Sequence, residues 1–185
     1  MRTPPIVHTT RDVDSSSFLR VEQLDLEFSN GERRTYERLK GSGLGAVIIV
    51  PMLDDDTVLL VREYGAGVGH YELGLPKGRL DQDETAEQGA ERELKEEIGY
   101  GARRLKILHN LSLSPSYMTH MTHVVLAQDL YPERLLGDEP EELDVVPWKM
   151  AELHTLLGRD DVTEGRSIAA LFMAREYLAG RFQRT

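Results

Sequence analysis

From residue 19 the chain alternates, with Leu19, Val21, Leu24, Leu26 and Phe28 set among polar residues at an imperfect period of two, which predicts a strand. Asn30-Gly31 follows, the dipeptide best suited to a tight hairpin turn. Arg33 to Leu39 is therefore expected to return as the partner strand, and Lys40-Gly41-Ser42-Gly43 to act as a flexible joint. The most apolar strand runs from Ala46 to Met52. Asp54-Asp55-Asp56 then turns into another strand, Thr57 to Arg62, and Gly65 to Gly69 is too rich in glycine for regular structure. At Glu84 the period changes. Ala86, Ala90, Leu94 and Ile98 step by four, predicting a helix over Glu84 to Ile98 that Gly99 stops. Leu105 to Leu113 and Thr122 to Ala127 read as strands around Ser114-Pro115-Ser116, and Met150 to Leu157 and Ser167 to Leu178 as closing helices. Trp148 is expected to pack in the core. Such irregular interleaving suits an α/β (α+β) domain, a mixed sheet with helices packed on it, better than a doubly wound parallel fold.

Composition narrows the function. The 185 residues are 40% hydrophobic and 29% charged, as expected of one folded domain carrying a polar arm over residues 1–17. The division expected is an N-terminal arm and hairpin over 1–43 and a main domain over 44–185. A net charge of −10 repels phosphate backbones, so general nucleic-acid binding is not expected. It also means that a phosphate-bearing substrate would need a cation between itself and the protein. The absence of cysteine excludes disulfides and thiolate chemistry. The longest apolar stretch, Leu44 to Leu53, is far shorter than the ~20 residues of a spanning helix, so no membrane partner is expected. The N-terminus has no apolar signal segment, and the expected location is cytoplasmic.

The chemistry lies between Gly78 and Tyr100. On a helix, Glu93 and Glu97 are about 40° apart, with Glu96 about 60° to the other side, so three carboxylates share one face. Like charges at i,i+4 cost roughly 0.2–0.5 kcal/mol per pair, and these lie near the helix end that disfavours anions. A bound cation would offset both penalties, whereas Glu96-Glu97 alone would read as a solvated face. Gly78, Glu84, Arg92, Glu93, Glu96, Glu97 and Gly99 fit the spacing G-x5-E-x7-R-E-U-x-E-E-x-G-U at every defined place, with Leu94 and Tyr100 at the apolar U positions. On these residues the chain resembles the Nudix hydrolases.

That resemblance implies an α/β/α sandwich, preceded here by the β-hairpin arm, which splits a nucleoside diphosphate linked to another group using Mg2+ or Mn2+. It implies Glu93 and Glu97 as principal metal ligands, Glu96 as holder of a further ion, and the backbone carbonyl of Lys77 as the remaining ligand. Arg92 would clamp the loop between Gly78 and Glu84 to the helix, and Gly78 would permit a close backbone approach. Similarity continues through Leu26 to Gly31, Tyr36 to Arg38, Ser114 to Tyr117, Ala127 to Glu133 and Gly137 to Glu141, towards bacterial relatives of the ADP-ribose pyrophosphatases. The implied substrates are ADP-ribose, NADH and short diadenosine polyphosphates, with AMP as a common product. Pro115, 15 residues after the box, matches a proline typical of ADP-ribose pyrophosphatases, while Tyr117 lies near a tyrosine of diadenosine polyphosphate hydrolases; the preference stays open.

Two departures stand out. Glu72 is separated from the box by two more residues than in ADP-ribose pyrophosphatases, and no arginine follows Glu63-Tyr64 where one often contacts phosphate. Substrate contacts are then expected from Arg62 or from the hairpin, whose Arg33 and Arg38 fall where such enzymes reach across a homodimer; exposed strand arginines are the alternative. Two sources of general base remain, a box glutamate (Glu96 or Glu97) and Glu139 on the acidic segment Gly137 to Glu142. A non-catalytic nucleotide-binding module would be expected to lose a box residue. Nucleoside triphosphates and RNA caps are the other substrate classes.

Overall fold

The computed structural model describes Pro5, Ile6, His8 and residues 20–41 and 43–182. Most of the polar arm, and Ser42 of the joint, lie outside the described residues. The hairpin forms as the alternation predicts: β1 (Arg20–Glu27) pairs antiparallel with β2 (Arg33–Lys40), and Gly31 takes the positive φ of 82° that the turn needs. The imperfect period reflects two faces. Leu24 and Leu26 lie opposite Tyr36 and Arg34, while Val21 lies opposite Leu39 and so points the other way.

β3 (Ala46–Pro51) is buried throughout, because it is covered on both sides. Val47 and Ile49 enter one core and Ile48 and Val50 another. β3 runs parallel to β8 (Met121–Pro132) and antiparallel to the three-residue β6 (Lys77–Arg79). With β7 (Tyr100–Ser112) they make a mixed four-stranded sheet in the order β6-β3-β8-β7. A three-stranded antiparallel sheet, β5-β4-β9, is built from β4 (Thr57–Gly65), β5 (His70–Gly74) and β9 (Asp144–Lys149). β5, β6 and β9 are additional to the strands expected. β6 is too short to show a pattern, and Pro147 sits inside β9, which an edge strand tolerates.

Helices cover both faces, giving the expected α/β/α layering. α1 (Ala86–Glu93) presents Ala86 and Ala90 to the core of Val47, Ile49 and Val125. On the opposite face α2 (Leu153–Leu156) and α3 (Gly165–Leu178) bury Leu153, Leu156, Ala170 and Leu171 against Ile48, Val50 and Val124. Trp148 packs against this second core. The helix expected over Met150 to Leu157 is divided into a 3-10 turn, Met150–Glu152, and the short α2. Among the described residues no helix is long and apolar enough to cross a membrane.

Candidate active site

The box helix ends at Ile98 before Gly99 as expected, but it starts later and its last turn is of another type. It begins at Ala86 because Thr85 is the N-cap: its hydroxyl accepts from the Gln88 amide at 3.2 Å, and its own amide donates to the Gln88 side chain at 2.9 Å. Glu84, expected inside the helix, stands before it and is free to accept from Arg92. The last turn, Leu94–Ile98, is a π-helix in which the Gly99 amide reaches back to Leu94, and Gly99 closes it with a φ of 74°. Such wide turns are frequent at functional sites.

Arg92 ties the segment together. Its guanidinium donates to both oxygens of Glu84 at 3.0 and 2.9 Å, to the Arg79 carbonyl at 2.9 Å, to Glu93 at 2.7 Å and to Glu96 at 3.0 Å. The loop after Gly78 is thereby bound to α1. Gly78 itself abuts the Glu93 carboxylate, and a Cβ there would land on the carboxylate atoms. Only glycine lets β6 pass this close.

Glu93 and Glu97 are 7% and 4% exposed and open onto a cleft of about 750 Å3. Gly137, Asp138, Glu139 and Pro140 of the acidic loop form its other wall. Single carboxylate oxygens of Glu93, Glu97 and Glu139 lie within 4.8 Å of one another. Burial pushes the Glu97 carboxyl up to about 9; Lys77 partly opposes this, while Glu93 and Glu63 add to it. Burial likewise raises Glu93 to about 7 against the pull of Arg92, with repulsion from Glu96 and Glu139 contributing. A cluster of oxygen donors in which Glu93 and Glu97 are buried with raised pKa values suits a hard divalent ion, since the ion supplies the missing counter-charge.

The structure gathers Lys77, Gly78, Arg92, Glu93, Glu96, Glu97 and Glu139 around this cleft. Glu96 lines it but is drawn to Arg92, so the third carboxylate beside Glu93 and Glu97 is Glu139. The Lys77 amide faces Glu97 at 3.3 Å, and its ammonium pairs with Glu63. Other expected residues are placed elsewhere. Arg62 pairs with Asp161 at 2.7 Å, Arg33 with Glu27 at 2.6 Å and Arg38 with Glu22 at 2.6 Å. Pro115 is exposed in the turn whose Tyr117 carbonyl accepts from Leu39 at the end of the hairpin. Glu72 accepts from the amide and hydroxyl of Thr163 at 3.0 and 2.9 Å, and pairs with His70. Glu63 and Leu136 line the cleft without having been singled out in the sequence, because neither belongs to a spaced motif.

A family model described as the NUDIX domain matches residues 44–171, and one described as the NudE-type Nudix hydrolase N-terminal domain matches residues 5–38. The ADP compounds hydrolase NudE of Escherichia coli (strain K12) is 48% identical over 177 residues, covering 96% of this chain and 95% of the relative. The ADP-ribose pyrophosphatase of Bacillus subtilis (strain 168) is 28% identical, with 80% of each chain covered. A crystal structure of an ADP compounds hydrolase superposes with a TM-score of 0.84 at 47% identity, covering 97% of this chain and 96% of that one. With its box intact and its fold shared along almost the whole length, the chain belongs to the Nudix hydrolase family.

Proposed function

We propose that the cleft hydrolyses the diphosphate of ADP-containing compounds, such as ADP-ribose, NADH and short diadenosine polyphosphates, releasing AMP. The observation that carries this reading is the convergence of Glu93, Glu97 and Glu139 within 4.8 Å, two of them buried. Their oxygen donors fit Mg2+, with Mn2+ as a substitute. A bound ion would neutralise phosphate charge and acidify water. Glu93 and Glu97 are the residues to hold it; Glu96 and the Lys77 carbonyl complete the donor set. Arg92 keeps Glu93 and Glu96 in place. Glu139 orients the attacking water, whose oxygen bonds to one phosphorus as the bridging P–O bond breaks. A box glutamate is the competing candidate for that task.

The relatives support ADP compounds as the substrate class. A GDP-mannose pyrophosphatase of Citrobacter koseri, 27% identical over 172 residues, marks another nucleoside diphosphate class to include in the test. We further propose that residues 1–43 form a dimerisation arm on the hydrolase unit 44–185, with Arg33 and Arg38 reaching a partner's substrate and Arg62 and Pro115 shaping the same neighbourhood. The reading places the enzyme in the cytoplasm, where such metabolites turn over.

The test is a panel of ADP-ribose, NADH, diadenosine di- and triphosphate, GDP-mannose and a nucleoside triphosphate, assayed with Mg2+ in 18O-water. AMP release from the ADP compounds, with label in a single product, is the expected result. Preference for GDP-mannose or a triphosphate would assign another substrate class. No turnover of any compound with Mg2+ or Mn2+ would leave a binding module.

A further inference from the structure

The acidic loop, residues 133–143, is held firmly at its start. The Glu133 amide donates to the Gly99 carbonyl at 3.1 Å, the Leu135 amide to the Lys95 carbonyl at 3.0 Å, and Lys95 pairs with Glu133 at 3.0 Å. At the far end Leu143 is buried in the core beneath α1. Between these anchors the loop lines the cleft: Leu136 is 97% exposed, whereas Gly137 lies close to Glu96. Glu139 sits on this stretch facing Glu93 and Glu97, and Glu93 repels it, so a restraint on the loop favours its position. Arg134 reaches Glu142 at 3.6 Å, and nearer to Glu139 the hydroxyl of Tyr71 donates to Glu141 at 2.5 Å.

We propose that Tyr71 is a positioning residue: by holding Glu141 it keeps Glu139 over Glu93 and Glu97. This rests on the role given to Glu139 above. The donor side is rigid. Tyr71 lies in β5 opposite Tyr64, with the two rings edge-on at 5.6 Å, and its neighbour Glu72 is fixed by Thr163. The acceptor side transmits the restraint, because only Pro140 separates Glu141 from Glu139 and its ring fixes φ. A phenol donating to a carboxylate is a charge-assisted bond, stronger than a neutral one.

Tyr71→Phe removes the hydroxyl and keeps the ring. With ADP-ribose and Mg2+, kcat is expected to fall about tenfold, the factor that loss of a hydrogen bond to a charged group supplies, while KM stays nearly unchanged. Binding of Mn2+ to the resting protein, followed by electron paramagnetic resonance, should stay near the parental affinity, because Glu93, Glu97, Glu96 and the Lys77 carbonyl are untouched. The melting midpoint should stay within about 3 °C of the parent. Glu141→Gln retains a carbonyl acceptor and should be faster than Glu141→Ala, and the Tyr71→Phe/Glu141→Ala double variant should be no slower than the worse single one. Parental kcat in Tyr71→Phe, or multiplicative losses in the double variant, would overturn the proposal. Glu139→Gln separates two failures. A fast Glu139→Gln removes the role of Glu139, with the double variant still deciding whether Tyr71 and Glu141 act as a pair, whereas a slow one beside a fast Tyr71→Phe removes the tether alone.

Discussion

Glu97 concentrates the site's energetics in one side chain. Its carboxyl is raised to about 9 and that of Glu93 to about 7, from an ordinary 4.5, chiefly by burial. The metal-free folded chain therefore binds protons that the unfolded chain has already released. This contribution to stability is full below about pH 4.5 and is lost as pH rises through 7 and then 9. Thermal melts without metal should fall across that window, and added Mg2+ should stabilise more at pH 8.5 than at pH 6, because ligands must shed protons to bind it. Glu97→Gln should abolish most of this slope and lower kcat by at least ~10²-fold, about 2.7 kcal/mol of transition-state stabilisation. Near-parental turnover would remove the box from the reaction. At this scale the sequence was informative where spacing alone sets geometry, as for Glu93 and Glu97, while the clamp of Arg92 on the loop was legible only through the family resemblance. It was silent on Glu63 and Tyr71, whose meeting with residues 14 and 70 positions away depends on how strands register.

Among the elements, the box helix was legible in its apolar steps, yet its limits were set by side chains that compete with the backbone. Thr85-Ala86-Glu87-Gln88 carries a capping box that could have been read directly, and it starts the helix two residues later than the apolar period alone suggests. Thr85→Ala should cost about 1 kcal/mol and lower the melting midpoint by about 2–4 °C; an unchanged midpoint would show that tertiary packing, and not the cap, holds this end. The π turn had no signal in the period of apolar residues, because Leu94 and Ile98 are buried whether the turn is α or π. β5 and β9 escaped for a related reason: strands flanking β4 gain their place from pairing, and Pro147 argues locally against one of them.

At the scale of the whole molecule, the described residues form a three-layer body and a hairpin. The body was foreseeable from the mixture of periods, since β3 with no alternation demands cover on both faces. The hairpin's pairing was foreseeable too, but not its setting. A lone two-stranded sheet is marginal in water, and Leu26, Phe28 and Tyr36 remain exposed on it. If a second copy covers them, light scattering should give twice the chain mass for the parent, and Leu26→Glu with Tyr36→Glu should shift the population towards single chains. A parent that runs as one chain would leave the arm without its assigned role.

Gly78 carries a consequence for how this protein tolerates change. It pairs with Val47 in the register of β6 with β3, and its bare α-carbon forms the seat of Glu93. Scaffold and chemistry therefore share a wall one atom thick. A repacking beneath Val47 that displaced this strand edge slightly would reach the Glu93 carboxylate without altering any residue that contacts substrate, so mutational tolerance in this part of the interior should be governed by turnover well before it is governed by folding.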